Sequence, residues 1–186
     1  MKNKIIKDAL ALTLITLVAG VALGGVYEIT KDPIAKQEAQ AKAEAYEQVF
    51  TDAAAFEEVE MDDTLIQTIR DQLDQEGYKA QSIEEVMRAE DQSGETLGYA
   101  FTVVTSEGYG GDIQFSMGVQ NDGTLNGISI LSIGETAGLG MNADTPAFKD
   151  QFVGKQVEKL QYTKNGATQD DEINAISGAT VTTNAM

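Results

Sequence analysis

The chain has 186 residues, 42% of them apolar, so it is long enough for one globular domain with an appendage and can form a core. It contains no cysteine and no histidine, which excludes disulfides, zinc sites built from Cys and His, thiolate-held iron–sulfur clusters, His-ligated haem, and Cys–His or Ser–His catalysis. The net charge of −17 argues against a nucleic acid partner, because proteins that bind phosphate backbones carry the opposite charge.

The N-terminus has the pattern of a membrane anchor. Residues 1–8 contain three lysines and one aspartate, and residues 9–26 contain no charged side chain. Because a bilayer is crossed by about 20 apolar residues, we predict a transmembrane helix at 9–26. By the positive-inside tendency, residues 1–8 are expected in the cytoplasm and the main domain outside it, which gives a single-pass protein of the cell membrane. The alternative is a cleaved signal peptide, whose apolar core is usually shorter.

A helical stalk is predicted at 27–56, followed by the main domain at 57–186. Residues 34–50 are dense in Ala, Glu, Gln and Lys, which favour helix, and Pro33 suits a first helical turn. Apolar residues recur every three or four positions between Asp62 and Glu76, which predicts a second, amphipathic helix that ends at Gly77.

The middle of the chain is rich in strand patterns. Strands are predicted at 83–90, 97–104, 112–120 and 124–133, the last two joined through an Asp-Gly turn, which is a strong hairpin signal. An antiparallel sheet of three or four strands with helices packed on it is the expected fold, which places the domain in the α+β class.

The segment after the last of these strands is unusually rich in glycine. It has three glycines within residues 134–140, a density that indicates unusual backbone angles or a ligand lying against the main chain. A short helix is predicted beyond it, with Thr145 as N-cap and Pro146 at the first position, and a further strand at 160–163.

Near the end of the chain, Ser177-Gly178-Ala179-Thr180 forms a small-residue turn that is predicted to enter a helix at Val181. Hydroxyls and backbone N–H groups at such a position can bind an anion such as phosphate. From the spacing alone, the alternative is that Ser177 or Thr180 only caps the helix. A helix of residues 181–186 is too short to pack well, so we expect the chain to be shortened at its C-terminus.

Other site patterns are absent from the sequence. It has neither the GxGxxG nor the P-loop pattern of nucleotide sites and no EF-hand spacing, so no metal site is predicted. The acidic pairs at 62–63 and 170–171 are interpreted as solvated surface rather than as catalytic acids or bases.

Taken together, these features resemble the FMN-binding family typified by the RnfG protein of the Rnf complex, a membrane-bound ferredoxin:NAD oxidoreductase, and by its counterpart NqrC in the sodium-pumping NADH:quinone reductase. The resemblance covers essentially the full chain. It rests on the N-terminal span and stalk, the Gly108-Tyr109-Gly110-Gly111-Asp112-Ile113 segment, the Glu135-Thr136-x-Gly138-Leu139-Gly140 loop and the Ser177-Gly178-Ala179-Thr180 turn.

This resemblance implies that Thr180 carries FMN through a phosphoester that a flavin transferase forms. Two departures from the family pattern are Asn174, where an acidic residue is frequent, and Ala137, where proline is common. The further residues expected to bind the cofactor are Ser177, Gly178, Ala179, Glu135, Thr136, Gly138, Leu139, Gly140 and Tyr109.

The resemblance also implies an electron relay among other membrane subunits of a complex that couples electron flow from ferredoxin toward NAD to ion transport. No side chain is then needed as a catalytic group, because FMN supplies the redox chemistry. Two alternatives remain: a non-redox, membrane-tethered binding or assembly module, and an FMN subunit of a related quinone reductase system.

Overall fold

The structure of the protein is a computed structural model that describes residues 2–186, with side chains from Lys4 onward. The chain divides into two compact units, residues up to Ala41 and residues 42–186. In chain order, the helices and strands are α1 (Lys2–Val49), β1 (Ala55–Glu58), α2 (Asp63–Glu76), β2 (Gln81–Glu90), β3 (Thr96–Thr105), β4 (Ile113–Gln120), β5 (Leu125–Ile133), α3 (Pro146–Lys149), β6 (Gln161–Thr163), β7 (Glu172–Asn174) and α4 (Thr180–Ala185).

Helix α1 continues through Pro33, so the prediction that this proline begins a new helix is wrong. Proline removes one hydrogen bond from a helix interior, and the Ala, Glu and Lys residues that follow it are strong helix formers that favour the continuous helix. The helix ends at Val49, before the predicted end of the stalk at 56, and β1 begins at Ala55.

The first unit contains the apolar stretch. Within the described residues, one helix is long and apolar enough to cross a membrane, with a mean hydropathy of 2.3 over 18 residues. Its apolar side chains are exposed, for example Leu23 at 71%. A signal sequence has the same properties, so the anchor and the cleaved peptide both remain open at this point.

Helix α2 confirms its prediction at both ends. The Asp62 carboxylate accepts a hydrogen bond from the Leu65 N–H at 2.7 Å, which caps the N-terminus. Gly77 ends the helix with φ of 93°, a left-handed angle that glycine adopts without strain.

The second unit is built on a five-stranded antiparallel sheet in the order β1-β2-β3-β4-β5, which confirms the α+β class. The predicted hairpin is present as β4 and β5, in which Met117 pairs with Ile128. Strand β1 was not predicted, because it has only four residues and two of them are glutamates, which disfavour strands.

One face of the sheet is covered by the last turns of α1. Tyr46, Val49 and Phe50 pack against β2 and β3 and are 3–4% exposed; we call this cluster the helix–sheet junction. A Cβ on Gly118 would lie 2.8 Å from the Val49 carbonyl oxygen, so the absence of a side chain on β4 allows the close approach.

A buried polar contact fixes this junction. The Tyr46 and Thr102 hydroxyls lie 2.7 Å apart, and Thr102 is fully buried. Burial raises the pKa of Tyr46 to about 12, although the hydrogen bond with Thr102 works in the opposite direction. Beside this contact, Lys42 pairs with Glu85 of β2.

The chain that follows β5 packs on the other face. Ile113 and Phe115 contact Ala185 of α4, and a second cluster contains Phe148, Phe152, Ile173, Ile176 and Ala179. Strand β6 confirms the strand predicted at 160–163, but its parallel partner β7 was not predicted, because a three-residue strand carries no periodicity.

The predicted helix after Thr145 is present as α3, but the predicted cap is wrong. The Thr145 side chain makes no cap hydrogen bond and instead donates to the Asn142 carbonyl at 2.7 Å. The hydroxyl therefore stabilises the preceding turn.

Candidate functional site

Three segments meet at one end of the sheet, and each follows a strand. We call Gly108–Gly111 the glycine loop, Glu135–Gly140 the second loop, and Ser177–Thr180 the terminal turn. In an antiparallel sheet alternate strands run in the same direction, so the connections after β3 and β5 leave from the same end. Strand β7 then leads into the terminal turn.

The Glu135 side chain joins the glycine loop to the second loop. It is 8% exposed, and its Oε1 accepts a hydrogen bond from the Tyr109 N–H at 2.7 Å. A Cβ on Gly108 would lie 3.1 Å from the same oxygen. The carboxylate therefore lies inside the site, against the backbone of the glycine loop.

Gly140 brings the second loop against α4. A Cβ at this position would lie 2.6 Å from Glu135 Oε2 and 2.6 Å from Thr182 Oγ1, which is closer than real Cβ contacts. Since Thr182 is 1% exposed, it cannot move aside without repacking, so only glycine fits here.

Leu139 contacts the terminal turn. A Cβ on Gly178 would lie 3.0 Å from Leu139 Cδ2, and Gly178 has φ of 75°, a left-handed angle that favours glycine. The second loop is closed on itself, because the Leu139 N–H donates to the Thr136 carbonyl at 3.1 Å. The residues of the two family motifs are thus neighbours in the fold.

Three threonines in α4 have very different surroundings. Thr183 is 3% exposed; its hydroxyl donates to the Ala179 carbonyl at 2.9 Å and accepts from the Ile176 N–H at 3.0 Å. Thr182 is 1% exposed. Thr180 is partly exposed, and within residues 4–186 the structure gives its hydroxyl no hydrogen-bond partner.

The alternative that Ser177 or Thr180 caps the terminal helix is not observed. The helix begins at Thr180, one residue earlier than predicted, and its N-cap position is Ala179, without a side-chain cap. Ser177 and Gly178 are exposed, whereas Ala179 is buried in the second cluster. The hydroxyls of Ser177 and Thr180 are therefore not used to cap α4.

Four exposed apolar side chains lie in the three segments or directly next to them in the sequence. Tyr109 is 77% exposed, Val181 51%, Leu139 42% and Met141 37%. Sequence reasoning missed Val181 and Met141. Val181 could have been found by placing the apolar core positions of α4 on a helix, because it lies on the outward side.

The remaining predicted residues divide into exposed and buried members. Thr136 and Gly138 are exposed in the second loop, whereas Gly140 is buried. Asn174 lies at the end of β7, and its side chain accepts a hydrogen bond from the Ala167 N–H at 2.7 Å. It therefore stabilises the neighbouring turn.

Two further features of the described residues bear on the chemistry. No group of three or more acidic side chains in residues 4–186 is arranged to hold a metal ion. A cleft of about 770 Å³ is lined by residues such as Tyr78, Met117 and Tyr162. It reaches Thr183 and Asn184 of α4 but includes no residue of the three segments.

Comparison with known proteins adds a family context. The FMN-binding domain family matches residues 108–186, and the RnfG N-terminal region matches residues 1–49. Both family motifs of the site lie within the first match.

Individual relatives match nearly the whole chain. The RnfG protein of the Na⁺-translocating ferredoxin:NAD⁺ oxidoreductase complex of Acetobacterium woodii is 32% identical over 98% of this chain and 86% of its own length. The RnfG protein of the proton-translocating complex of Clostridium ljungdahlii is 28% identical over 100% of this chain and 87% of its own length. The crystal structure of the NqrC protein of the Na⁺-translocating NADH-quinone reductase from Parabacteroides distasonis is 23% identical, with a TM-score of 0.49 over 72% of this chain and 70% of that one.

Proposed function

Because this chain belongs to the RnfG family of ion-translocating ferredoxin:NAD⁺ oxidoreductase complexes, we propose that it is an electron-relay subunit that carries FMN covalently on Thr180. FMN exchanges one or two electrons when bound, and the protein holds it and sets its surroundings. The observation that carries the proposal is the accessible Thr180 hydroxyl in the terminal turn of the FMN-binding domain.

The choice of Thr180 rests on the contrast between the hydroxyls of α4. A phosphoester needs an oxygen that an enzyme can reach, and the hydroxyl of Thr183 is buried with two hydrogen bonds. The hydroxyl of Thr182 is buried as well. Of the three, Thr180 alone is both partly exposed and without a hydrogen-bond partner in the described residues.

The residues around Thr180 fit a flavin nucleotide. The exposed Ser177 hydroxyl and the bare backbone at Gly178 supply small polar groups where a phosphate would lie. The exposed side chains of Tyr109, Leu139 and Val181 supply apolar surface of the kind that an aromatic ring system covers. In this proposal the exposed Thr136 and Gly138 also face the cofactor, while the buried Ala179 and Gly140 shape the backbone.

The proposal includes a membrane topology. Residues 1–8 lie in the cytoplasm, residues 9–26 cross the cell membrane, and residues 57–186 lie outside the cytoplasm, joined to the span by the rest of α1. Support comes from the three lysines before the uncharged stretch and from the exposed apolar side chains within it. A reporter enzyme fused after Met186 should be active only outside the cytoplasm, and cytoplasmic activity would contradict this topology.

The partners follow from the same premise. We propose that the chain assembles with the other membrane subunits of an ion-translocating complex, to which it contributes neither the ferredoxin site nor the NAD site. A flavin transferase attaches the FMN. The relatives are named for sodium and for proton translocation, and coupling to one of these ions is part of the proposal.

The decisive test is covalent labelling. The full chain, expressed with a flavin transferase, should give a band that fluoresces under ultraviolet light on a denaturing gel and a mass gain of FMN less one water. Thr180→Ala should abolish both signals because the ester oxygen is gone. Thr64→Ala, which removes an exposed hydroxyl from α2, is the matched control and should keep both.

Two outcomes contradict different parts of the proposal. An unlabelled wild-type chain would overturn the flavoprotein assignment and favour the non-redox binding module. A labelled Thr180→Ala chain would overturn only the attachment site, and peptide mapping of the label would then identify the residue used.

A further inference from the structure

Glu135 is an anomaly among the charged side chains. Within residues 4–186 it is the only charged residue in the buried class, at 8% exposed, and no lysine or arginine pairs with it. A buried carboxylate costs free energy unless hydrogen bonds compensate for the lost water. The compensating donor is the Tyr109 N–H, which lies 2.7 Å from Oε1.

The loop that Glu135 contacts is also held through its backbone, because Gly110 packs against the Gly134 carbonyl. Tyr109 has glycine on both sides, and a third glycine, Gly111, has φ of 128°. Glycine leaves the backbone free to adopt many conformations. The Tyr109 ring is 77% exposed, so packing does not orient it. Within the described residues, the hydrogen bond from its own backbone N–H is therefore the side-chain contact that holds the backbone of Tyr109.

The second oxygen of the same carboxylate lies against the second loop. Glu135 Oε2 lies against Gly140, whose neighbour Leu139 contacts Gly178 of the terminal turn. The carboxylate thus stands between Tyr109 and the segment that reaches the turn with Thr180. Movement of this one side chain would change the position of both.

We propose that Glu135 is a positioning residue for which the length of the side chain is decisive. It places an acceptor oxygen at the Tyr109 N–H and thereby holds the Tyr109 ring beside the terminal turn. Its effect on the flavin passes through the Tyr109 ring. The contact itself does not require FMN, but its role beside the flavin rests on the proposed function.

Substitutions at Glu135 separate the effect of side-chain length from the effect of charge. Glu135→Gln keeps an oxygen at the same distance and removes the charge, while Glu135→Asp keeps the charge and shortens the side chain by one carbon. Glu135→Ala removes both. The matched control is Asp112→Ala, which removes an exposed carboxylate next to the glycine loop.

The first measurement is hydrogen exchange in the full chain without flavin, by mass spectrometry of a peptide that contains residues 106–112. With Glu135→Asp and Glu135→Ala, exchange at the Tyr109 amide should accelerate by roughly tenfold or more, and with Glu135→Gln by less than about fivefold, since the neutral acceptor keeps much of the bond. Asp112→Ala should leave this rate unchanged. The proposal would be overturned if the Tyr109 amide exchanged at the same rate in all variants. It would also be overturned if Glu135→Asp kept the amide protected and Glu135→Gln did not.

The second measurement uses the flavin-labelled chain and quenching of flavin fluorescence by iodide. Tyr109→Ala and Glu135→Ala should each raise the quenching constant by about twofold or more. The double variant should quench like either single variant, because both act through the same ring. Additive effects would overturn the proposal, since a general loss of packing would add to the loss of the ring.

The two measurements distinguish this inference from the proposed function. If the wild-type chain takes no flavin, the proposed function fails, and the exchange rates alone decide whether Glu135 fixes Tyr109. If the chain is labelled and exchange accelerates as expected but quenching by iodide does not change, the fixed ring does not serve the flavin and the inference is wrong.

Discussion

The helix–sheet junction and the three-segment site each contain a polar contact of the same length, in opposite surroundings. The Tyr46 and Thr102 hydroxyls lie 2.7 Å apart, and the Tyr109 N–H lies 2.7 Å from the Glu135 carboxylate. Around the first pair, Val49, Phe50, Ala89 and Ala100 are at most 4% exposed. Above the second, the Tyr109 ring is 77% exposed.

This difference indicates two kinds of polar contact in one domain. At the junction, the hydrogen bond joins the end of α1 to the sheet. At the site, the hydrogen bond fixes a loop whose side chains remain available. We therefore expect changes at the junction to lower the free energy of unfolding, and changes at the site to alter labelling or flavin environment with little loss of stability.

The largest expected effect is that of Phe50→Ala. Phe50 is 4% exposed and fills the space beside Gly118 on β4. Truncation of a buried phenylalanine costs about 3–5 kcal/mol, measured as the change in free energy of unfolding by urea. Folded protein should still label on Thr180. Val153→Ala, a truncation of an apolar side chain that is 59% exposed, is the control and should change stability by less than about 0.5 kcal/mol.

The next effect is that of Tyr46→Phe, which leaves the buried Thr102 hydroxyl without a partner. A loss of about 1–3 kcal/mol is expected from the unsatisfied group. It should depend on pH: the folded pKa is about 12 against an ordinary 10.0, so neutral Tyr46 stabilises the fold fully below pH 10. That contribution is lost as pH rises from 10 to 12.

Unfolding curves measured across that pH range test this prediction. The difference in stability between wild type and Tyr46→Phe should shrink as pH rises from 10 to 12. If the difference stays constant, burial does not raise the pKa of Tyr46 as stated.

The smallest expected loss of stability is that of Thr183→Val. This residue is an exception among the site changes because it is buried, so both stability and labelling should be affected. The substitution keeps the shape of a buried side chain but leaves the Ile176 N–H without its acceptor, at a cost of about 1–2 kcal/mol. Since the hydroxyl shapes the entry to the terminal turn, labelling of Thr180 should also slow. Loss of stability with an unchanged labelling rate would show that the turn does not depend on this bond.

Sequence patterns predicted the elements whose signals are local. The two ends of α2 are set by Asp62 and Gly77, both visible in the sequence. The hairpin turn is another example, because the Asp122 carboxylate accepts from the Thr124 N–H at 2.9 Å and Gly123 has φ of 86°. Such turns depend on a few neighbouring residues and can be predicted from them.

The errors arise where contacts distant in sequence decide the outcome. The pairing of β6 with β7 carries no local signal. Within the site, the motifs indicated which residues belong together, but the burial of Glu135 and the hydrogen bonds of Thr183 depend on how the loops pack. The assignment of roles among neighbouring hydroxyls therefore required the structure.

The hydrogen-bonded pairing of β3 with β4 limits where the chain can be truncated. The FMN-binding match begins at residue 108, after β3, yet β4 is paired along its length with β3 and its Gly118 lies under the end of α1. A fragment that starts at 108 would expose the edge of β4, and unpaired edges associate with other chains. The compact unit begins inside α1, at residue 42, so it and the FMN-binding match have different boundaries.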